Sequence, residues 1–535
     1  MTTYTAAVHG LATDIRLPDG PGPFPAVLVR TPYDRRAHHA ELRGWARRGF
    51  AAVAQDVRGR HGSAGEWRPY AHEAADGADT ARWIRRQPWS DGRIVAYGAS
   101  YAAHCAVTLA LDAPEDARPD AVIAAVPALG AADTAREPSG VERLLTRAGW
   151  WAAHGDRPDS DEGALDKALA DDPDALTHLP LLDLPSRLGR ELPSWPGLWH
   201  HRDRGRLIAR APRARMPLLA VGGHHDHFAE DTVELWRHWG GPCPRLLMGP
   251  WGHGLVAAPG PGAHPAHRVR LGDLYARWAR SALAGHLTGG RGGAVALGGS
   301  PLWTAADDEG EPYAPRLRPL CGTAFTAHPE HPVASGELSV PVDGEPDRCV
   351  LVTAPLPRPL DLLGPARVRL RARAATPSAD WFARLVALAP AEPARTPAAD
   401  HAPRRAAGPG SDHAPPLAGE HASTLAPARA AGQHAERLAV GVARRHGQPP
   451  GQEAEFSIPL GRIARRLPAG TRLRLEIAGH HFPAHARNPH TGEDPITATR
   501  LTPSAREVDP DRLELRLSVL RTRPTPTDPA EEILR

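Results

Sequence analysis

Three short segments, in one order along the chain, constrain the fold more than anything else in the sequence. They are Gly98-Ala99-Ser100-Tyr101-Ala102, His225-Asp226-His227-Phe228 and Gly249-Pro250-Trp251-Gly252-His253. Each follows an apolar run that reads as a buried strand: Ile94 to Tyr97, Leu218 to Val221 and Leu246 to Met248. Serine, then acid, then histidine, each at the end of a strand, is a pattern of chemistry as well as of folding.

A serine hydroxyl is a poor nucleophile until a base takes its proton. A histidine serves as that base when a carboxylate holds its other ring nitrogen in the right tautomer. Ser100, Asp226 and His253 supply the three roles in the chain order of an α/β-hydrolase, whereas chymotrypsin-like and subtilisin-like enzymes order them differently. The elbow pattern G-x-S-x-G is kept at Gly98 and Ser100, with Ala102 in place of the last glycine. Taken singly, each residue has a plainer reading: an N-cap serine, a turn aspartate and a surface histidine. An oxyanion hole needs donors, and the backbone N–H of Tyr101 is the expected first. The second belongs to the loop after an earlier strand, where Tyr33 offers a phenolic O–H. On the residues alone a packing tyrosine is the favoured reading of Tyr33.

Strands alternate with helices over the first part of the chain: a strand at 25–31, a helix at 40–48, a strand at 51–54, a helix at 73–87, the strand into Ser100, a helix at 101–112 and a strand at 121–126. Ala74, Ala78, Ala81 and Ile84 recur at helical spacing. Such alternation predicts a mainly parallel sheet. It stops near Pro127 and resumes at Pro217, and the stretch between is helix-prone. A long helical pattern at about 267–287 closes the α/β unit. From about 310 short β-like runs separated by turns predict an all-β sandwich or jelly roll: 349–354, 366–372, 381–388, 438–442, 455–458, 472–478 and 512–520. The expected organisation is an α/β-hydrolase core (1–129 and 213–305), a helical cap insertion (130–212) and a C-terminal jelly-roll-like domain (306–535). A flexible, aperiodic loop is expected over 389–434.

Composition sets limits. The 535 residues carry a formal net charge of only +3, so no nucleic-acid partner is expected. Met1 to Gly10 has neither a basic start nor an apolar core, which argues against a signal peptide. No long uncharged apolar run exists, so no membrane span is expected. Cys105, Cys243, Cys321 and Cys349 are scattered, fitting reduced thiols in the cytoplasm. His224, His225 and His227 surround the acid but lack a partnering Cys or Glu pattern, so neither metal nor cofactor is expected. In the cap, Trp150, Trp151, Trp195 and Trp199 either line a substrate pocket or pack the cap's core. Asp156, Asp159, Asp161 and Glu162 either hold a substrate amine or form a solvated face.

The chain resembles the cocaine-esterase-like hydrolases, a family that includes X-Pro dipeptidyl-peptidases, glutaryl acylases and α-amino-acid ester hydrolases. The resemblance rests on Val29 to Asp34, Gln55 to Gly59 with Gly62 to Glu66, Gln87 to Gly92 and the three catalytic segments. It extends to Gly479-His480-His481-Phe482-Pro483, Arg487-Asn488-Pro489 and Thr491-Gly492 in the β domain. It implies the fold outlined above and makes Tyr33 O–H and Tyr101 N–H the oxyanion hole. The cap has no segment that aligns residue by residue, so it carries over no substrate contact. The expected activity is hydrolysis of a small acyl ester or amide through an acyl-Ser100 intermediate. The same intermediate could serve an acyltransferase or cyclase, and a binding protein with a relict triad is the remaining alternative. Self-association is expected to be possible on a surface left by the jelly roll.

Overall fold

The computed structural model describes residues 1–341, 343–390, 435–447, 449–522 and 524–535. Most of the loop expected over 389–434 lies outside the described residues.

The first unit holds β1 (Thr3–Val8), β2 (Leu11–Arg16), β3 (Phe24–Thr31), α1 (His39–Arg47), β4 (Ala51–Asp56), α2 (Glu73–Arg85), β5 (Ser90–Ala99), α3 (Tyr101–Asp112) and β6 (Ala121–Ala125). The chain then runs through short helices: α4 (Ala131–Ala135), α5 (Leu144–His154), α6 (Ala164–Asp171), α7 (Leu184–Arg187), α8 (Trp195–His200) and α9 (Arg206–Arg210). It re-enters the sheet with β7 (Leu218–Gly223), α10 (Ala229–His238) and β8 (Arg245–Gly249), followed by a small hairpin of β9 (Trp251–Gly252) and β10 (Leu255–Pro259). After α11 (Leu271–Leu283), β11 (Gly292–Ala296) and β12 (Trp303–Ala305) finish the sheet.

The sheet order is β1-β2-β4-β3-β5-β6-β7-β8-β11-β12. Its interior, from β4 through β3, β5, β6, β7 and β8 to β11, is parallel, and the flanking β1, β2 and β12 are antiparallel. The central strands are apolar on both faces because helices cover both. Alternation sorts the side chains: Leu28 joins Val53, Ile94 and Ala96 on one face, with α2, α3 and α10. Val27 and Val29 join Val95 and Ile123 on the other, with α1 and α11. Because the interior is parallel, the C-terminal ends of β3, β5, β7 and β8 lie along one edge. Ligands of open α/β sheets bind at that edge.

The second unit is a sandwich of two five-stranded sheets. Its strands are β13 (Glu311–Tyr313), β14 (Leu317–Cys321), β15 (Ala324–Ala327), β16 (Arg348–Thr353), β17 (Leu360–Ala374), β18 (Ser378–Leu388), β19 (Ala435–His446), β20 (Ala454–Leu467), β21 (Arg472–Ala478) and β22 (Ser504–Val519). One sheet runs β13-β22-β17-β20, with β15 beside β22, and the other runs β14-β16-β21-β18-β19. Val368, Leu370, Ile458 and Leu515 of the first sheet meet Leu351, Trp381, Leu385 and Ile477 of the second. The last helix, α12 (Pro529–Leu534), departs from the expected all-β unit. It returns to the α/β layer, where Ile533 is buried in the core shared with Leu274 and Trp278.

The helical segment is fastened to the sandwich by backbone and charge. Leu144 and Leu145 N–H donate to the carbonyls of Ala484 and Pro483, and Ala486 N–H donates to the Glu142 carbonyl. Glu137 accepts from Arg143 at 2.9 and 3.0 Å and faces His485 Nε2 at 3.0 Å. Glu142 is 1% exposed; it pairs with Arg136 and, across the interface, with Arg444 at 2.8 Å. Arg444 also forms a two-pronged pair with Asp380 at 2.7 and 2.8 Å. Asn488, from the C-terminal motif noted above, donates to Asp380 at 2.9 Å.

Candidate active site

Ser100 lies between β5 and α3 with φ 56° and ψ −121°, a backbone conformation that costs an L-residue and persists where the surrounding structure holds it. The tight elbow explains Gly98. A Cβ there would come within 2.2 Å of the Ala102 carbonyl carbon and 2.7 Å of the Ala102 methyl. The bare Gly98 thus leaves room for the methyl that replaces the usual glycine. Ser100 N–H donates to the Ala125 carbonyl at 3.0 Å, and its own carbonyl accepts from Ala128 at 3.2 Å, so both sides of the elbow are tied to the β6 end.

The acid and histidine loops are fastened to each other. His224 N–H donates to the Gly249 carbonyl and His225 N–H to that of Trp251, both at 2.9 Å. This brings His253, in the turn between β9 and β10, to the acid: its Nδ1 lies 2.9 Å from Asp226 Oδ1. Asp226 is buried and His253 is partly open. The sheet therefore joins the sequence-predicted residues as two pairs on one edge, His253 with Asp226 and Tyr33 with Ser100.

Tyr33 Oη lies 3.3 Å from Ser100 Oγ. The indole N–H of Trp150, from α5, donates to the same Oη at 3.2 Å. An indole has a proton to give and no lone pair to offer. Tyr33 therefore accepts from Trp150 and still carries one hydroxyl proton of its own to donate. The loop carrying Tyr33 is held by Arg60, which is fully buried. Its Nε donates to the Pro32 carbonyl at 2.9 Å, and other guanidinium protons reach the carbonyls of His154, Arg157 and Asp159. Burial pushes this guanidinium down to about 10 despite the nearby Asp159.

Tyr101 is the first residue of α3, so its N–H has no partner inside the helix and is free to serve as a donor. Its side chain anchors the turn. The phenol donates to Glu73, accepts from Tyr70 N–H at 2.6 Å, and lies parallel to Trp150 at 5.9 Å. Burial raises the Tyr101 phenol well above its usual range, and the Glu73 charge adds to this. Burial also raises Glu73, against the hydrogen bond from Tyr101.

The four cap tryptophans divide. Trp150 reaches the site. Trp151 donates to Ser194 Oγ and Trp195 to the Leu181 carbonyl, while Trp199 packs edge-on against Trp195, so these three build the cap's own core. The cap carboxylates have partners of their own: Asp156 accepts from Ser194, Asp159 from Arg157 and Asp161 from Arg190, while Glu162 Oε2 lies 3.5 Å from His154 Nε2. Of the three histidines around the acid, His225 Nε2 faces the Pro261 carbonyl at 3.1 Å, and His227 Nδ1 lies 3.3 Å from Asp226 Oδ1. Among the described residues, Asp226, His227 and His253 are the one set of three side chains close enough to share a metal ion. Sequence reasoning missed Arg60 and Glu73, whose roles arise from contacts distant in the chain. It noted His227 only as one of a histidine cluster.

A sequence profile of X-Pro dipeptidyl-peptidase (S15 family) matches residues 9–255, and one of the X-Pro dipeptidyl-peptidase C-terminal non-catalytic domain matches residues 302–514. Cocaine esterase from Rhodococcus sp. (strain MB1 Bresler) is 31% identical over 276 residues, 45% of this chain and 46% of that one. The match thus spans about half the length of this curated relative. An α-amino acid ester hydrolase structure superposes with a TM-score of 0.72 at 19% identity, covering 97% of this chain and 96% of that one. An aminopeptidase from a marine-sediment Thaumarchaeota archaeon gives 0.71 at 17% identity with the same coverage. At these identities the structural likeness is one of fold.

Proposed function

The chain belongs to the cocaine-esterase-like and X-Pro dipeptidyl-peptidase-like hydrolases, and from that premise we propose that it is a serine hydrolase cleaving a small acyl ester or amide through an acyl-Ser100 intermediate. The observation that carries the reading is Ser100 itself, held at positive φ on a strand-to-helix elbow with a tyrosine hydroxyl 3.3 Å from its Oγ.

His253, oriented by Asp226 through Nδ1, takes the Ser100 proton on Nε2 as Oγ attacks the substrate carbonyl. The oxygen that becomes negative accepts from Tyr33 O–H and Tyr101 N–H. Trp150 acts on this step indirectly, by donating its indole N–H to the Tyr33 oxygen, so that the phenol meets the oxyanion as a donor. Collapse of the tetrahedral adduct expels the alcohol or amine, which takes its proton from His253. Water then attacks the acyl-serine by the reverse proton path. Among the described residues no helix is long and apolar enough to cross a membrane. The four free cysteines support a reducing compartment, the cytoplasm, as the place of action.

The test is labelling with a fluorophosphonate, read by intact mass. Wild type should gain one adduct and Ser100→Ala none. A folded wild type that takes no adduct, or an adduct surviving on Ser100→Ala, overturns the proposal.

A further inference from the structure

The acid of the triad is shared between two histidines. Asp226 Oδ1 lies 2.9 Å from His253 Nδ1 and 3.3 Å from His227 Nδ1. The two imidazole planes are 25° apart with centroids 5.1 Å apart, and the three donor atoms lie within 4.8 Å of one another. Hydrolysis as proposed uses His253 and Asp226 but assigns no step to His227.

We infer that Asp226, His227 and His253 form a binding site for one divalent transition-metal ion of the zinc type, and that the bound ion switches the hydrolase off. The inference rests on the reading of His253 as the base for Ser100. Two imidazole nitrogens and one carboxylate oxygen suit zinc and its neighbours, whereas magnesium and calcium prefer oxygen donors throughout. Zinc takes such ligands at about 2.0–2.2 Å in a tetrahedron, whose edge is then about 3.3–3.6 Å. The His227 to Asp226 separation already falls at that edge, and the His253 to Asp226 separation falls a few tenths short. All three side chains stand on loops, Asp226 and His227 between β7 and α10 and His253 in the β9–β10 turn, where adjustments of this size need no repacking of a strand. Three protein ligands leave the fourth position open to water.

Inhibition follows from tautomerism. A neutral imidazole carries one ring proton. In the metal-free pair that proton sits on His253 Nδ1 and points at Asp226, so that Nε2 carries no proton and can accept from Ser100. A metal bonded to Nδ1 moves the proton to Nε2. The ring keeps its single proton, now on the atom that must receive one, and Ser100 loses its base. The same shift at His227 leaves the proton count unchanged. Asp226, bound to the ion, no longer holds the productive tautomer.

The site is tested apart from the chemistry by titrating Zn²⁺ into Ser100→Ala, by calorimetry. One ion per chain should bind, and adding His227→Ala should weaken it by at least the roughly 10- to 100-fold that loss of a mere outer-shell partner costs. His227→Asn serves as a second variant, and Co²⁺ should give visible bands of tetrahedral coordination in Ser100→Ala that His227→Asn abolishes. In the active enzyme, buffered Zn²⁺ should suppress turnover relative to each variant's own metal-free rate, and a chelator should restore it. The His227 variants should require at least about tenfold more metal, and Mg²⁺ should not substitute. Equal Zn²⁺ affinity in Ser100→Ala with and without His227 overturns the site. Binding without loss of turnover overturns the switch. If zinc binds as expected but the fluorophosphonate does not label wild type, the hydrolase reading fails and the metal site stands.

Discussion

The helical segment between β6 and β7 has two contacting faces, and they are built from opposite materials. Toward the sheet edge it presents Trp150 to Tyr33 and Tyr101, aromatic groups joined by one indole hydrogen bond and one parallel ring contact. Toward the sandwich it presents Glu137, Glu142 and Arg143 to His485 and Arg444, a buried ionic network with two-pronged pairs. The difference concerns where error is tolerated. Removing one member of a buried ion pair strands its partner's charge. Removing one hydrogen bond from an aromatic face leaves the packing in place. The ionic face should therefore set whether the cap is seated, and the aromatic face how fast the seated enzyme turns over.

The largest expected effect would break the ionic face. Glu142→Ala leaves Arg136 and Arg444 without their shared carboxylate and should cost about 3–5 kcal/mol of stability, read as a fall in denaturant midpoint. The kcat of the molecules that remain folded should be unchanged. If kcat falls while stability holds, the division of labour is wrong. Tyr33→Phe attacks the other face and should lower kcat by about 10²- to 10³-fold, with only a small fall in melting temperature from the Trp150 N–H left unpaired. A drop smaller than this would mean that another donor serves the oxyanion.

Acid should act on the ionic face selectively. Burial alone would raise Glu137, but Arg143 and His485 outweigh it and hold the carboxyl well below its usual range. Burial likewise opposes Arg444 and Asn488 at Asp380, and the partners prevail. Both carboxyls titrate lower folded than unfolded. Their contribution is therefore complete above about pH 5 and is lost as pH falls through about 4 toward the folded values. Melting temperature measured from pH 7 to 3 should drop steeply for wild type. Glu137→Gln should start lower at pH 7 and show a shallower slope.

The smallest effect sharpens the comparison most. Trp150→Phe keeps an aromatic ring at the position, though a smaller one, and removes the N–H, and a neutral hydrogen bond is worth about 0.5–1.5 kcal/mol, or roughly 2- to 12-fold in kcat. In a Tyr33→Phe background the same substitution should have no further effect, because the hydroxyl it orients is gone. A Trp150 effect that persists there would assign it to packing or substrate contact.

The elbow was legible in the sequence because its constraint is local: glycine two residues before a serine, between a strand and a helix. The parallel core was legible because its strands are short and apolar throughout. The β1–β2 hairpin went unread although Thr3 to Val8 alternates and His9-Gly10 supplies a turn with φ 51° and 83°, because β1 is the edge strand, β2 lies next to it, and neither has a long apolar run. In the sandwich, the run expected at 366–372 belongs to a strand that begins at Leu360. Gly364 and Pro365 read locally as a stop. In the fold they fall where pairing with β22 skips from Leu362 to Arg367, a bulge where a missing N–H does no harm. Pro459 and Gly461 likewise fall inside β20 rather than ending it. The cap's helices are as short as four residues, too few for periodicity to register, and tertiary contacts hold them. The two-histidine arrangement at Asp226 was illegible for another reason: sequence places His225 and His227 on either side of the acid with His224 one residue further, and it is the loop conformation that turns His227 toward it.

Glu137 waits for a histidine 348 residues further along, and Glu142 for an arginine 302 residues further. A ribosome delivers the chain in order, and domains fold as they emerge. When the elbow, the acid and the histidine turn are all outside the tunnel, the acidic face of the cap still lacks every basic group the sandwich brings to it. For that interval the proposed reacting groups of the nascent protein stand beneath a cover not yet fastened. The fastening comes from a domain that supplies none of them.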